Sequence, residues 1–267
     1  MRSVIVEDQL ISDRDQVDQA ISEYFQGVYG NADHQMDTEG DLAMWDRFQA
    51  AAEMAQGMFT LRDVEEAMKA SNFNKGLGPD GFDGTILRPG DSSHRLTQEI
   101  STKILGLLNN PMNIPQYLYE GRLVPLSKNK GKDQAELKDI RPIVVRSHVA
   151  KILEKAIMAK VAAVAPHLLS TKIYQTGFKE GTSTATHVSR LLSQIHPGQG
   201  KKRRNYAALI DLQKAYDTVN REKLWGILDS RCRNESDRMM ALLMVKMYQK
   251  SQVIIGKHSF SADLGVV

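Results

Sequence analysis

The stretch "LIDLQKAYD", residues 209–217, ends an apolar run on an aspartate, then adds lysine, alanine, tyrosine and a second aspartate. An ionised carboxylate at the tip of a hydrophobic strand is costly unless a counter-charge or hydrogen bonds compensate it. A bound cation does so, and magnesium is held by one or two carboxylates together with substrate phosphates. Asp211 is therefore a candidate metal ligand; its bland alternative is a residue that opens a turn or caps the next helix. Lys214, Ala215 and Tyr216 follow at fixed offsets, and Asn220 stands where a cap is needed before Leu224 and Trp225.

A second feature is charge. The formal net charge of +3 conceals an asymmetry: residues 1–70 carry five Lys/Arg against fifteen Asp/Glu, and residues 71–267 carry thirty against seventeen. The steepest part, 121–160, has ten basic and four acidic side chains. A basic body behind an acidic leader suggests a polyanionic partner, although a solvated lysine-rich surface has the same composition.

Elements that could position these residues come from periodicity. Val17, Ile21, Tyr24 and Val28 recur at helical spacing behind the capping candidate Asp13. Residues 30–42 are polar and broken and read as a loop. Thr60 and Asp63 form a capping-box pattern ahead of Leu61, Val64 and Met68, and that helix should stop near Asn72 at the glycine-rich "NKGLGPDGFDG". Leu96, Ile100, Ile104 and Leu108 give a third helix ending before Pro111. "GRLVPLSK" and "IRPIVV" then read as two strands flanking a basic tip, with Pro125 and Pro142 arguing for edge strands or strand ends. A helix from Ser147 to Pro166, a glycine-punctuated connection "YQTGFKEGTS" and a helix carrying Val188, Leu191, Leu192 and Ile195 follow. A strand is expected at about 205–212, then helices near 220–229 and 235–250, and strand-like runs in "SQVIIG" and "KHSFSADL". Helices mixed with scattered strands make the fold class α+β.

Several classes are excluded. One cysteine, Cys232, allows no internal disulfide and no cysteine-rich zinc site, and the seven histidines show no metal-ligand spacing. No serine or cysteine has the context of a nucleophile. "MRSVIVEDQL" lacks the apolar core of a secretory signal, and no run approaches the length of a membrane span. A soluble, intracellular protein is expected, with nucleus and cytoplasm both open; Lys201, Lys202, Arg203 and Arg204 read as an import signal, a solvated turn or a phosphate contact.

"LIDLQKAYDTVNREKLW" resembles the first palm motif of reverse transcriptases in the version typical of non-LTR (LINE-type) retrotransposons. "NKGLGPDGFDG" (74–84), "LVPLSKNKGK" (123–132), "DIRPIVVRSHVAKILEKAI" (139–157) and "YQTGFKEGTST" (174–184) match in the family's order, so the resemblance runs over about 60–267. It implies a right-hand polymerase fold with a helical leader and polar loop at 1–58, fingers at 59–200 and part of a palm at 201–267. RNA template, DNA primer and deoxynucleoside triphosphates are the implied partners, and two Mg2+ ions the implied cofactor. Asp211 would be a catalytic metal carboxylate, helped by the backbone carbonyl of Leu212. Tyr216, beside Ala215, would lie under the incoming sugar and exclude a 2′-hydroxyl. Arg141 would hold triphosphate oxygens in bidentate fashion, and Lys128 or Lys130 would add a second phosphate contact. Gln175, Gly177 and Phe178 would lie near the template, with Phe178 either stacking on a base or buried in the core.

The resemblance also implies what the site needs besides Asp211. The family's other two carboxylates belong to a "Tyr-x-Asp-Asp" hairpin, and this sequence has no adjacent pair of aspartates. Asp217 lies past a turn from Asp211 and need not converge with it. The expectation is a fragment that stops before the second palm motif and does not polymerise DNA alone. Two other readings stay open: a non-catalytic nucleic-acid-binding remnant, and a group II intron maturase-like polymerase fragment.

Overall fold

The computed structural model describes residues 3–30, 38–52, 57–87, 94–128, 134–171, 175–179, 181–199, 206–212, 214–248 and 251–262. Mixed helices and strands fill them, as the α+β reading expects. Two compact units are present: Met1–Leu168 with Lys214–Val267, and Leu169–Gln213. The segments 1–58, 59–200 and 201–267 expected from sequence run across that division, since the first unit draws on all three.

The first unit begins with a hairpin, β1 (Ser3–Val6) and β2 (Gln9–Ile11), turned at Glu7 and Asp8 with positive φ. Its turn carries neither Asn nor Gly, so no local hairpin signal marks it. The first helix, α1 (Arg14–Tyr29), starts where expected: the Asp13 carboxylate accepts from the Gln16 amide at 3.0 Å. Its buried face is Val17, Ile21, Phe25 and Tyr29. The next helix, α2 (Thr38–Ala52), begins inside the stretch expected to be a loop. The capping box is formed on α3 (Leu61–Lys69), with Thr60 and Asp63 each accepting from the other's backbone amide. Burial tends to raise the Asp63 carboxyl pKa, but hydrogen bonds from Thr60 and Lys160 outweigh it and hold the pKa below its ordinary value.

After α4 (His94–Leu108) the chain enters β3 (Glu120–Ser127), short β4 (Gln134–Glu136) and β5 (Ile140–Arg146). One sheet has the order β2-β1-β4, with β1 and β4 parallel. The other runs β5-β3 and then two strands near the C-terminus, β6 (Gln252–Ile255) and β7 (His258–Ser261). Both prolines fit this sheet for a specific reason. Pro125 faces Pro142 in the antiparallel β3–β5 ladder. The Lys128 amide donates to the Asp139 carbonyl (2.8 Å), and alternation from there makes Pro125/Pro142 a non-hydrogen-bonded pair whose nitrogens point outward. On one side β5 is the sheet edge; on the other, β6 pairs only with Glu120–Arg122 and stops short of Pro125. Thus β3 tolerates its proline although it is an interior strand.

The core of this sheet joins Leu123, Ile140, Val253 and Phe260 to Val17, Ile21, Phe25 and Tyr29 of α1. A helix that reads as a leader therefore shares one core with the strands. Ser147 caps α5 (His148–Val164), and α7 (Arg221–Arg231) and α8 (Glu235–Lys246) follow the expected helical pattern. A core shared by α2, α7 and α8 includes Met44, Phe48, Trp225, Leu242 and Val245. The "GPDG" motif wraps the β5–α5 junction: a Cβ on Gly78 would lie 2.5 Å from the Ser147 nitrogen. The Gly84 amide donates to Nδ1 of fully buried His148 at 2.8 Å.

The second unit contains a turn at Gln175–Lys179 and α6 (Thr184–Gln199). The Thr182 hydroxyl lies 2.5 Å from the Thr176 carbonyl oxygen and 2.6 Å from that of Lys179. Val188, Leu191 and Leu192 of α6 are about half exposed. The strand expected at 205–212 is not formed over its described residues, 206–212. Leu209 and Ile210 are 98% and 87% exposed there. A strand is stabilised by a ladder partner, and no described strand pairs with these residues.

Candidate nucleotide cleft

Strand β5 and the turn 214–218 border a cleft of about 410 Å³. Arg141, on the solvent side of β5, is exposed because alternation sends Ile140 into the core and its neighbour out. Across the cleft stand Lys214, Ala215, Tyr216 and Asp217. Three of the residues expected to meet a nucleotide, Arg141, Ala215 and Tyr216, are thus brought together from distant parts of the chain. Tyr216 lines this opening and is about half exposed.

The turn is well determined. The amide and hydroxyl of Thr218 each reach the Lys214 carbonyl at 3.1 Å. Lys214 has φ +49, a left-handed conformation that non-glycine residues adopt only where their surroundings hold it. Its Nζ donates to the Tyr24 hydroxyl at 3.0 Å and stands 4.8 Å from that ring's centre. The Tyr29 hydroxyl donates to Oδ1 of Asp217 at 2.9 Å. Burial first, and then the Asp217 charge, push the Tyr29 phenol well above its ordinary pKa. Tyr29 is therefore a donor at any physiological pH. Two cations, Arg141 and Lys214, and one hydrogen-bonded carboxylate, Asp217, thus flank an amphipathic ring. Such a surface suits an anion joined to a flat or apolar body.

Sequence reasoning gives Lys214 and Tyr24 no role at the site and does not single out Tyr29. Tyr24 reads as one position of a core stripe, and nothing in its spacing separates that use from a contact to a turn nearly two hundred residues later. Asp217 was weighed only as a metal carboxylate; its Oδ1 is engaged by Tyr29.

The remaining expected site residues stand elsewhere. Lys128 bonds across its own hairpin, Nζ to the Lys138 carbonyl at 2.7 Å, and does not line the cleft. Lys130 and the basic run 201–204 lie outside the described residues. Gln175, Gly177 and Phe178 belong to the second unit, where Gln175 Nε2 donates to the Gly177 carbonyl at 3.2 Å. Of the two alternatives for Phe178, burial fails: the ring is 94% exposed and the backbone has φ +58. Asp211 and Leu212, also in the second unit, are exposed.

Among the described residues no three His, Cys, Asp or Glu side chains are grouped to hold an ion. Asp211 is exposed and the sequence has no adjacent aspartates, so the described residues do not fit two held magnesium ions. Among the described residues no helix is long and apolar enough to cross a membrane.

Comparison with known proteins adds one relation. Over 159 residues the chain is 22% identical to a Drosophila melanogaster protein described as "Probable RNA-directed DNA polymerase from transposon X-element". The match covers 59% of this chain but only 17% of that protein. No family model matches the chain. The relation is distant and reverse-transcriptase-like.

Proposed function

We propose that the chain is part of the RNA-directed DNA polymerase of a non-LTR (LINE-type) transposon, with a right-hand polymerase fold, and that the β5 cleft receives the incoming deoxynucleoside triphosphate. The observation that carries this reading is the meeting of Arg141 and Tyr216 across one opening. In this reading the Arg141 guanidinium holds phosphate oxygens, and Lys214 adds a second positive charge. The Tyr216 ring packs under the sugar and leaves no room for a 2′-hydroxyl. The exposed Phe178 ring gives an RNA template a stacking surface in the second unit. Because Asp211 is one carboxylate of a larger set, this chain alone is expected to bind nucleotide without joining it to a primer. Magnesium belongs to the complete enzyme.

The test is equilibrium binding of dTTP and ribothymidine triphosphate, which differ only in the 2′-hydroxyl, to the purified chain by calorimetry. Charge-assisted hydrogen bonds contribute about 1.5–3 kcal/mol each, so Arg141→Ala should weaken dTTP binding roughly 10- to 100-fold. Tyr216→Ala should bring the affinities for ribothymidine triphosphate and dTTP together. If Arg141→Ala leaves dTTP binding unchanged, the cleft is not a triphosphate site. Salt-dependent RNA binding that survives Asp211→Asn but is lost on charge reversal within 128–141 would then favour the non-catalytic binding remnant.

A further inference from the structure

Helix α1 contacts both ends of the turn that carries Tyr216. At one end the Tyr24 hydroxyl and ring face meet the Lys214 ammonium. At the other the Tyr29 hydroxyl donates to Asp217. Neither tyrosine swings freely. Tyr24 stands edge-on to Phe25 with ring centres 5.1 Å apart, and Tyr29 stacks between Phe25 (6.0 Å) and Phe260 (6.1 Å). Between the two anchored residues lie only Ala215 and Tyr216. The left-handed φ of Lys214 is the conformation such a pin must hold, since an unrestrained lysine leaves it.

We infer that Tyr24 and Tyr29 are positioning residues: by pinning Lys214 and Asp217 they fix where the Tyr216 ring stands opposite Arg141, and so set how well the cleft separates deoxyribose from ribose. The inference rests on reading the cleft as a nucleotide site. In physical terms, a gate that works by exclusion needs a stiff wall. A ring that can retreat by about 1 Å stops excluding one hydroxyl, and displacements of that size are enough to change rates and selectivity strongly. Stiffness here comes from a helix whose buried face is locked into the sheet core by Val17, Ile21 and Phe25.

The test uses the whole chain and two readouts. One is amide hydrogen exchange at Thr218, whose N–H closes the turn onto the Lys214 carbonyl. The other is the ratio of the dissociation constants of ribothymidine triphosphate and dTTP, which differ only in the 2′-hydroxyl. Tyr29→Phe keeps the stacked ring and removes only the hydroxyl; Asp217→Ala removes the acceptor. Each should speed Thr218 exchange about tenfold or more, the effect of losing a hydrogen bond to a charged group. Each should also lower sugar discrimination by about three- to tenfold. The double variant should be no worse than either single one. Asp217→Asn, which keeps an oxygen acceptor for Tyr29, should retain slow Thr218 exchange. A merely structural role for Tyr29 would shift the unfolding midpoint without moving the ratio.

Unchanged exchange in Tyr29→Phe overturns the pinning. Faster exchange with an unchanged ratio overturns the positioning role. A wild-type chain that binds no dTTP, while exchange responds as expected, overturns the nucleotide reading and leaves the pinned turn in place.

Discussion

Arg146 offers the sharpest test of how the strand bearing Arg141 is held. It ends β5, is only 7% exposed and has four engagements. Nη1 pairs with the Glu154 carboxylate of α5, and Nη2 donates to the carbonyls of Leu118 (2.8 Å) and Met247 (3.2 Å). The guanidinium also lies 5.7 Å from the centre of the Tyr248 ring. One planar group thus ties β5 to α5, to the turn before β3 and to the end of α8. Arg146→Ala would strand a carboxylate and two carbonyls. Breaking a buried pair by removing one partner costs about 3–5 kcal/mol. The Glu154 side chain keeps 27% of its exposure, so water relieves part of that and the lower half, about 3–4 kcal/mol, is expected. For a chain of this size each kcal/mol is about 2–4 °C, which puts the shift in Tm at about 6–16 °C. Urea unfolding followed by tryptophan fluorescence is the assay, because the two tryptophans, Trp45 and Trp225, both belong to the core that contains α8. Arg146→Lys keeps the charge but not the fork, and should fall between wild type and alanine. Glu154→Gln should cost less than Arg146→Ala, because the two carbonyls keep their donor. A loss below about 1 kcal/mol for Arg146→Ala would refute the view that this residue ties the elements together.

Two further outcomes follow from local geometry. Gly78→Ala would place a Cβ 2.5 Å from the Ser147 nitrogen and 2.8 Å from the Arg146 carbonyl carbon, atoms that cannot rotate away, and should cost about 1–3 kcal/mol by denaturant unfolding. Gly226→Ala, on α7 with nothing within 4 Å of the new Cβ, should instead stabilise by about 0.5–1 kcal/mol. Burial, then the charges of Asp229 and Asp237, push the Cys232 thiol up to about 11, so it should react with a thiol reagent at pH 8 at least about tenfold more slowly than an exposed cysteine. In the unfolded chain that thiol ionises first, near 9. The Cys232 contribution to stability is therefore full below pH 9 and lost as pH rises through about 11, and Cys232→Ser should remove that part of the alkaline slope.

The helices were legible because their apolar residues recur at helical spacing and their starts carry side-chain caps: Asp13, Thr60 and Ser147 each accept from a backbone amide two or three residues on. The β3–β5 hairpin was legible from two β-rich runs about a dozen residues apart. What escaped depends on distant partners. Pairing of β1 with β4, and of β3 with β6, joins segments more than a hundred residues apart, and no local pattern encodes the choice. The apolar run before Asp211 looked like a strand, since composition reports the wish to be buried and not the presence of a neighbour. At the cleft, Arg141 and Tyr216 were singled out through family resemblance. Tyr24, Tyr29 and Lys214 were not, because a tyrosine whose ring serves the core and whose hydroxyl serves a turn reads as core.

The cleft and the metal carboxylate differ in how much of their support lies within reach. Every wall of the cleft is tied to one core: Arg141 through the β3–β5 ladder, and the Tyr216 turn through α1, whose buried face meets the same sheet. Asp211 follows a run in which Leu209 and Ile210 stay almost wholly in water. Burying such side chains would return about 1.5–3 kcal/mol each, so the run has a strong drive to pair and no described strand that pairs with it. A strand is stabilised only by a second element brought alongside, and a metal pair at Asp211 would need the same. The proposed nucleotide recognition does not share that dependence. On that reading of the cleft, binding and chemistry are separable, and a dTTP affinity that responds to Arg141→Ala but ignores Asp211→Asn is what the separation requires.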